Sequence, residues 1–98
     1  MLERDYQSRL IRRLERMFPG ALIIKTDPRY IQGLPDLLIL FDYRWAALEC
    51  KQGPRSSRQP NQEWYVDILN KMSFASFISP DNEEDVLYAL QQAFGDRG

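Results

Sequence analysis

The sequence predicts a single α/β domain over residues 1–98, with a mixed central sheet flanked by helices. Three observations support this fold class. The chain has 98 residues, the length of one domain. Short runs of β-branched and aliphatic residues alternate with longer stretches whose apolar residues recur every three or four positions. One short run, Leu37 to Phe41, is apolar throughout, as expected of a central strand buried on both faces.

The first predicted element is a helix that ends at Pro19 and Gly20. Its apolar residues have helical spacing: Leu2, Tyr6, Leu10, Leu14, Met17 and Phe18. Its other side carries a stripe of arginines: Arg9, Arg12, Arg13 and Arg16. This stripe is either a solvated face or a surface for phosphate contact.

Three strands are predicted next. The run 21–24 is short and β-rich, and a loop containing glycine and proline follows it. The apolar strand 37–41 comes after this loop. A tight turn at 42–44 connects it to a strand at 45–51, so these two strands should form a hairpin.

The remaining elements are a helix, a strand and a last helix. A polar loop at 52–59 leads into a helix that starts near Pro60 and runs to about Lys71. A strand at 74–79 follows, and Asp81 or Asn82 is expected to cap the last helix. The predicted order is α-β-β-β-α-β-α. Three aromatic side chains are expected in the core rather than as base-stacking platforms: Trp45, Trp64 and Phe74.

Composition excludes several chemistries. The chain has no histidine, so it cannot use Ser-His or Cys-His catalysis or histidine-ligated zinc. The single cysteine, Cys50, excludes an internal disulfide, and its apolar flanks favour a small packed residue over a nucleophile. Hydrolysis by this chain would therefore depend on carboxylates, lysine and a hard metal ion.

The charge is unevenly distributed along the chain. The net charge is −1, but residues 1–58 contain 11 Lys and Arg against 7 Asp and Glu, whereas residues 59–98 contain 2 against 7. A basic surface suited to phosphate is thus compatible with an acidic protein. No apolar run is long enough for a membrane span, and the first residues lack the pattern of a secretory signal, so an intracellular protein with no membrane association is expected.

Three charged residues form the candidate chemical site. Glu49 and Lys51 lie on the same face of a strand because successive residues alternate. They follow an apolar stretch, where charges are costly unless they are paired or bound to metal. Asp36, at the start of the neighbouring strand, can lie beside Glu49. Two adjacent carboxylates repel each other, and a divalent cation such as Mg²⁺ removes that repulsion.

These residues resemble a known family. Gly33-x-Pro35-Asp36, followed after 12 residues by Glu49-Cys50-Lys51, is similar to the PD-(D/E)xK nuclease superfamily, whose restriction-endonuclease-like core has the element order given above. Within it, the sequence most resembles small phage-type VRR-NUC nucleases, which are stand-alone relatives of Holliday junction resolvases. The resemblance covers roughly residues 3–94 and includes a glutamine at the start of the helix after the Glu-x-Lys strand.

The resemblance implies a role for each matching residue. Asp36, Glu49 and the backbone carbonyl of Cys50 would hold Mg²⁺ or Mn²⁺. Lys51 would lie beside the attacking water and the scissile phosphate.

The resemblance implies two further site residues. Glu3 would complete a second metal position or orient a metal-bound water, with Asp5 as the competing candidate; an acid there also suits the helix dipole without any catalytic role. Gln62 would contact the phosphate, the water or Glu49, or else simply bond to the start of its helix. Gln59 is the weaker alternative.

Arginines near the site are the predicted nucleic-acid contacts. Arg55 and Arg58 lie on the loop after Lys51, Arg29 lies on the opposite loop, and Arg12 lies on the first helix. The expected function is a Mg²⁺- or Mn²⁺-dependent endonuclease acting on duplex or branched DNA as a homodimer. The alternatives are a non-catalytic DNA-binding module with the same fold and a small interaction protein whose acids are structural.

Overall fold

A computed structural model of the chain describes residues 2–53 and 56–95. Its helices and strands are, in chain order, α1 (Glu3–Met17), β1 (Leu22–Lys25), β2 (Leu37–Phe41), β3 (Arg44–Cys50), α2 (Pro60–Met72), β4 (Phe74–Ile78) and α3 (Glu83–Phe94). This order is the predicted one. The protein is therefore α/β, and none of the helices in the described part of the chain is long and apolar enough to cross a membrane.

The four strands form one mixed sheet in the order β1-β2-β3-β4. β1 and β2 pair antiparallel, β2 and β3 form the predicted antiparallel hairpin, and β3 and β4 are parallel with α2 as their crossover. β3 starts one residue earlier than predicted, because Arg44 pairs with Phe41. It also ends one residue earlier, although the Lys51 N–H still donates to the Ile78 carbonyl at 2.8 Å.

The core lies on one face of the sheet, under α1 and α3. The buried side chains of the two helices there are Tyr6, Leu10, Leu14, Val86, Leu87, Leu90 and Phe94. They pack against alternate residues of the strands, such as Leu37, Leu48 and Ile78. Cys50 belongs to this core and burial raises the pKa of its thiol, which agrees with a packed residue rather than a nucleophile.

The other face of the sheet carries α2. This helix packs on β3 and β4, and none of its residues, all of which are described, is fully buried. The prediction that Trp64 belongs to the core is wrong, since 57% of it is exposed. Trp45 is half-buried on the same face, whereas Phe74 packs against the core as predicted.

Two turns position the ends of the strands. Gly33 has a φ of 93°, and a Cβ there would meet the Asn61 side chain of α2 at 2.6 Å. Asn61 donates from Nδ2 to the Gln32 carbonyl at 3.0 Å, which holds the loop before β2 against α2. Asn82 directly precedes α3 and is one of the two residues predicted to cap this helix. Its Oδ1 accepts from the Ser79 N–H at 2.7 Å and fixes the turn after β4 instead of capping the helix.

Candidate active site

The β2–β3 hairpin brings Asp36 and Glu49 together. Leu37 pairs with Leu48, so continuing the antiparallel register by one residue sets Asp36 opposite Glu49. Asp36 Oδ2 accepts from the Cys50 N–H at 2.9 Å. The two acids therefore lie on the same side of the sheet, as the alternation of strand residues predicts.

Glu49 is the most deeply buried of the acids near this site, with 3% of the residue exposed. Burial, and next the negative charge of Asp36, raise its pKa to about 8, although Lys51 opposes the shift. Burial also raises the pKa of Asp36. Glu49 Oε1 is buried and has no hydrogen-bond partner among the described residues. Buried polar atoms are almost always partnered, so an unpartnered oxygen at this position is unusual.

Lys51 lies beside Glu49 and is held by three oxygen atoms. Its Nζ donates to Gln62 Oε1 and to the Ser57 carbonyl, both at 2.9 Å, and is 3.7 Å from Glu49 Oε2. Only 11% of the side chain is exposed. The ammonium is thus fixed at the end of β3 by two hydrogen bonds and one ion pair.

Gln62 connects the two charged residues. Its Nε2 donates to Glu49 Oε2 at 2.9 Å, while its Oε1 accepts from Lys51. The same Oε1 accepts from the Gln59 N–H at 3.1 Å, in a reciprocal capping box at the start of α2. Gln62 therefore bonds to the start of its own helix and also contacts Glu49, so that both predicted roles are present in one side chain. Gln59 serves as the cap only.

Glu3 approaches the site from α1. It lines a cavity of about 310 Å³ together with Lys51 and residues of the loop after β3. Its pKa is raised, first by partial burial and next by the negative charge of Asp36. Asp5, the competing candidate, is exposed and is not among the residues described as lining this cavity. Of the two acids, Glu3 is the one near the site.

A second, smaller cavity lies on the other side of Lys51. It has a volume of about 140 Å³, with Phe77 and Asn82 among its lining residues. The Arg58 guanidinium stacks over the Phe77 ring at 3.9 Å, which places this predicted DNA contact at the rim of the site. The sequence analysis missed Phe77 as a neighbour of the site, although it pairs with Glu49 across the parallel strands.

The other predicted DNA contacts are more distant or already paired. Arg12 is exposed on α1, and Arg29 is held by Asp27 at 3.1 Å. Arg55 lies outside the described residues. In the arginine stripe of α1, Arg13 binds Glu83 and Glu84 of α3 and so clamps the two helices together. The stripe is therefore not a uniform phosphate-binding surface.

The carboxylate oxygens at this site meet only part of what a divalent metal ion requires. Among the described residues there is no cluster of three or more His, Cys, Asp or Glu side chains arranged to hold a metal. The pair Asp36 and Glu49 nevertheless fits one. The two carboxylates are adjacent, Glu49 is buried and Asp36 is half-buried, and one oxygen of Glu49 has no hydrogen-bond partner among the described residues. Oxygen ligands from one or two carboxylates, with water and phosphate filling the other positions, are what Mg²⁺ takes in phosphoryl-transfer enzymes.

No family model matches the sequence, and searches of curated proteins and of solved structures give no match either.

Proposed function

We propose that the protein is a metal-dependent nuclease that hydrolyses DNA phosphodiester bonds, with Asp36, Glu49, Lys51 and Gln62 as its site. The observation that carries the proposal is the partnerless, buried oxygen of Glu49 beside a second carboxylate and a fixed ammonium. Structural acids of a small interaction protein would be expected to have their hydrogen bonds satisfied. We propose in addition that the sheet and its flanking helices form a restriction-endonuclease-like core.

Asp36 and Glu49 would hold Mg²⁺ or Mn²⁺, with the Cys50 carbonyl as a third ligand and Glu3 near a second position. When bound, the metal ion supplies Lewis-acid stabilisation of phosphate and an activated water. Hydrogen bonds within the chain hold both carboxylates in position. The Cys50 N–H fixes Asp36, and Gln62 fixes Glu49 Oε2, so that Oε1 is left available. Hydrogen bonds to the side chains that ligate a metal ion orient those side chains.

Lys51 is the proposed contact to the scissile phosphate. Its two hydrogen bonds are to Gln62 Oε1 and to the Ser57 carbonyl, and binding of substrate would replace one of them by a bond to a phosphate oxygen. The Ser57 carbonyl is the one to be replaced, because it lies on an exposed loop, whereas Glu49 and Gln62 belong to the network that fixes the site. The ammonium then stabilises the negative charge that develops on the phosphate.

The test is cleavage of plasmid and four-way-junction DNA with Mn²⁺ or with EDTA. We expect nicking with the metal only, and loss of nicking in Lys51→Ala with an unchanged circular dichroism spectrum. Lys71→Ala is the matched control, because Lys71 is exposed on α2 and pairs only with Asp67 among the ion pairs described. Equal cleavage by the wild type and Lys51→Ala would contradict the assignment.

A non-catalytic DNA-binding module is the second candidate. It is favoured by the lack of a three-ligand acid cluster in the described part of the chain. Binding of DNA without cleavage under any metal would select it over the nuclease.

A further inference from the structure

The smaller cavity beside Lys51, about 140 Å³ in volume, is bordered by two cationic residues. One is Lys51, which also borders the larger cavity that contains Glu3, so that it separates the two cavities. The other is Arg58, on the loop after β3. A DNA strand with its scissile phosphate at Lys51 can therefore continue into the smaller cavity and reach Arg58.

Phe77 holds Arg58 at this cavity. It pairs with Glu49 across β3 and β4, so its side chain lies on the same face of the sheet as the proposed site. The guanidinium carbon of Arg58 is 3.9 Å from the centre of the Phe77 ring, well within the range of a cation–π contact. The contact gives a long, exposed side chain a preferred position close to Lys51.

This stacking leaves the hydrogen-bond donors of Arg58 free. The ring contacts the flat face of the guanidinium, whereas the five N–H groups of an arginine lie in its plane. Within the part of the chain that the structure describes, Arg58 makes no hydrogen bond and no ion pair. Arg13 and Arg29, by contrast, bind carboxylates. A guanidinium held by its face, with its edge unused, matches the two-pronged geometry of phosphate binding.

The other polar side chains that border the cavity offer less to a ligand. Asn82 Oδ1 accepts from the Ser79 N–H at 2.7 Å, and Asn82 Nδ2 donates to the Phe77 carbonyl at 3.3 Å, so this side chain fixes the turn after β4. Asp81 opposes an anion, but it is exposed and its charge is screened by solvent. Among the described residues it makes no ion pair with Arg58. The two cations are therefore the groups best suited to bind a ligand.

We infer that Arg58, held by Phe77, binds the phosphate that adjoins the scissile phosphate on the same DNA strand. The inference rests on the proposed function, which puts the scissile phosphate at Lys51, and adds a second phosphate subsite to it. Phe77 is a positioning residue in this arrangement, because it acts through Arg58. A substrate with a phosphate on only one side of the subsite boundary would lack the contact with Arg58.

The same contact would keep the loop after β3 in place when substrate binds. Ser57, which precedes Arg58, accepts from Lys51 through its carbonyl at 2.9 Å. Binding of the scissile phosphate would replace that hydrogen bond. The stacking of Arg58 on Phe77 would still attach the loop to β4, so that Arg58 stays at the subsite while Lys51 turns to the substrate.

The experiment compares thymidine dinucleotides that contain a single phosphodiester. One has no terminal phosphate, one has a 5′-terminal phosphate and one has a 3′-terminal phosphate, so the only diester fixes how each ligand lies in the site. Dissociation constants are measured by NMR titration of the full chain in Ca²⁺, a cation that takes oxygen ligands. We expect the terminal phosphate at one of the two ends to tighten binding by about 10-fold, the lower end for hydrogen bonds between charged groups.

Four variants assign the gain in affinity. Arg58→Ala should lose it, and Arg58→Lys should keep part of it, because lysine has the charge but not the planar fork. Phe77→Leu should reduce it, since leucine is apolar but has no ring face for the guanidinium; a circular dichroism spectrum checks its fold. Arg16→Ala is the matched control and should show the full gain, because Arg16 is exposed on α1, away from the residues that border the cavity.

A wild type that gains nothing from a terminal phosphate at either end overturns the inference. An equal gain in the wild type and in Arg58→Ala also overturns it, because the phosphate is then bound elsewhere. Cleavage is not measured in these titrations. If the gain depends on Arg58 and yet DNA is not cut with any metal ion, the phosphate subsite stands and the nuclease proposal fails.

Discussion

The buried glutamate explains why this site should bind a cation. Glu49 lies beside Asp36 in an apolar surrounding, and its pKa is raised to about 8 because burial and a like charge both penalise the ionised form. Such a carboxyl stays protonated in the folded protein at pH values where the unfolded chain has already lost the proton. The metal-free protein should therefore lose stability as the pH rises.

We predict that, in EDTA, the melting temperature of the wild type falls between pH 5 and pH 8. The folded-state pKa of Glu49 is about 8 and its ordinary value is 4.5, so the stabilising contribution is complete below 4.5 and lost as the pH rises through 8. One pKa unit of the shift corresponds to about 1.4 kcal/mol, or roughly 6 to 11 °C in a domain of this size. Thermal melts at several pH values measure this.

Glu49→Gln should flatten that pH dependence, and it should also remove the stabilisation by Mn²⁺. Glu63→Gln is the control, since Glu63 is exposed in the first turn of α2. A wild-type melting temperature that rises over this range, or a Glu49→Gln profile that matches the wild type, would contradict the account of the buried acid.

Gln62→Ala should lower cleavage by about 10- to 100-fold, as loss of a ligand-orienting bond commonly does. Gln62 acts through Glu49 and Lys51, so the loss should appear in kcat with little change in DNA affinity. Gln91→Ala, an exposed glutamine of α3, is the control. A Gln62→Ala protein that is weakened in binding alone would assign the residue to the DNA surface instead.

The principal site residues could be predicted because local rules determine their positions. Alternation along β3 put Glu49 and Lys51 on one face, and the hairpin set Asp36 across from Glu49. The hydrogen bond from Lys51 to Ser57 could not be predicted, since Ser57 accepts it through a backbone carbonyl that carries no residue-type signal. Phe77 was missed because the register of two parallel strands joined by a helix is not specified by the local sequence.

The helices and strands were predictable to within a few residues, but the environment of α2 was not. Helical spacing identified Trp64, Ile68 and Met72 as apolar positions of one helix. This spacing does not indicate whether another part of the molecule covers these side chains. In the structure, Trp64 and Met72 are exposed, although α2 packs on β3 and β4.

The loop that positions Asp36 depends on Gly33. Gly33→Ala should destabilise the protein by more than Gly20→Ala does. Both glycines have a φ near 90°, where an L-residue costs about 1 to 2 kcal/mol. A Cβ at Gly20 meets nothing within 4 Å, whereas at Gly33 it meets Asn61 at 2.6 Å.

Chemical denaturation measures the free energy of unfolding of the two variants. Both carry the cost of an L-residue at a positive φ, and only Gly33→Ala adds the clash with Asn61. Gly33→Ala should in addition reduce cleavage by displacing the start of β2. Equal destabilisation by the two substitutions would mean that the contact between this loop and α2 is loose.

For the molecule as a whole, assembly should be visible in its stability. If the protein is a homodimer, as expected of the proposed nuclease, its melting temperature rises with protein concentration, because the folded dimer is favoured by mass action. We expect this dependence in the wild type. Scanning calorimetry at several concentrations measures it, and a constant wild-type value would contradict the dimer.

The central claim is that Asp36 and Glu49 form a metal site, and a crystal soaked in Mn²⁺ tests it most directly. The account predicts an anomalous difference peak within ligand distance of Glu49 Oε1 and of the Asp36 carboxylate, absent from Glu49→Gln crystals treated in the same way. A crystal that shows no manganese there, or one in which Glu49 Oε1 is satisfied by a protein hydrogen bond, would contradict it.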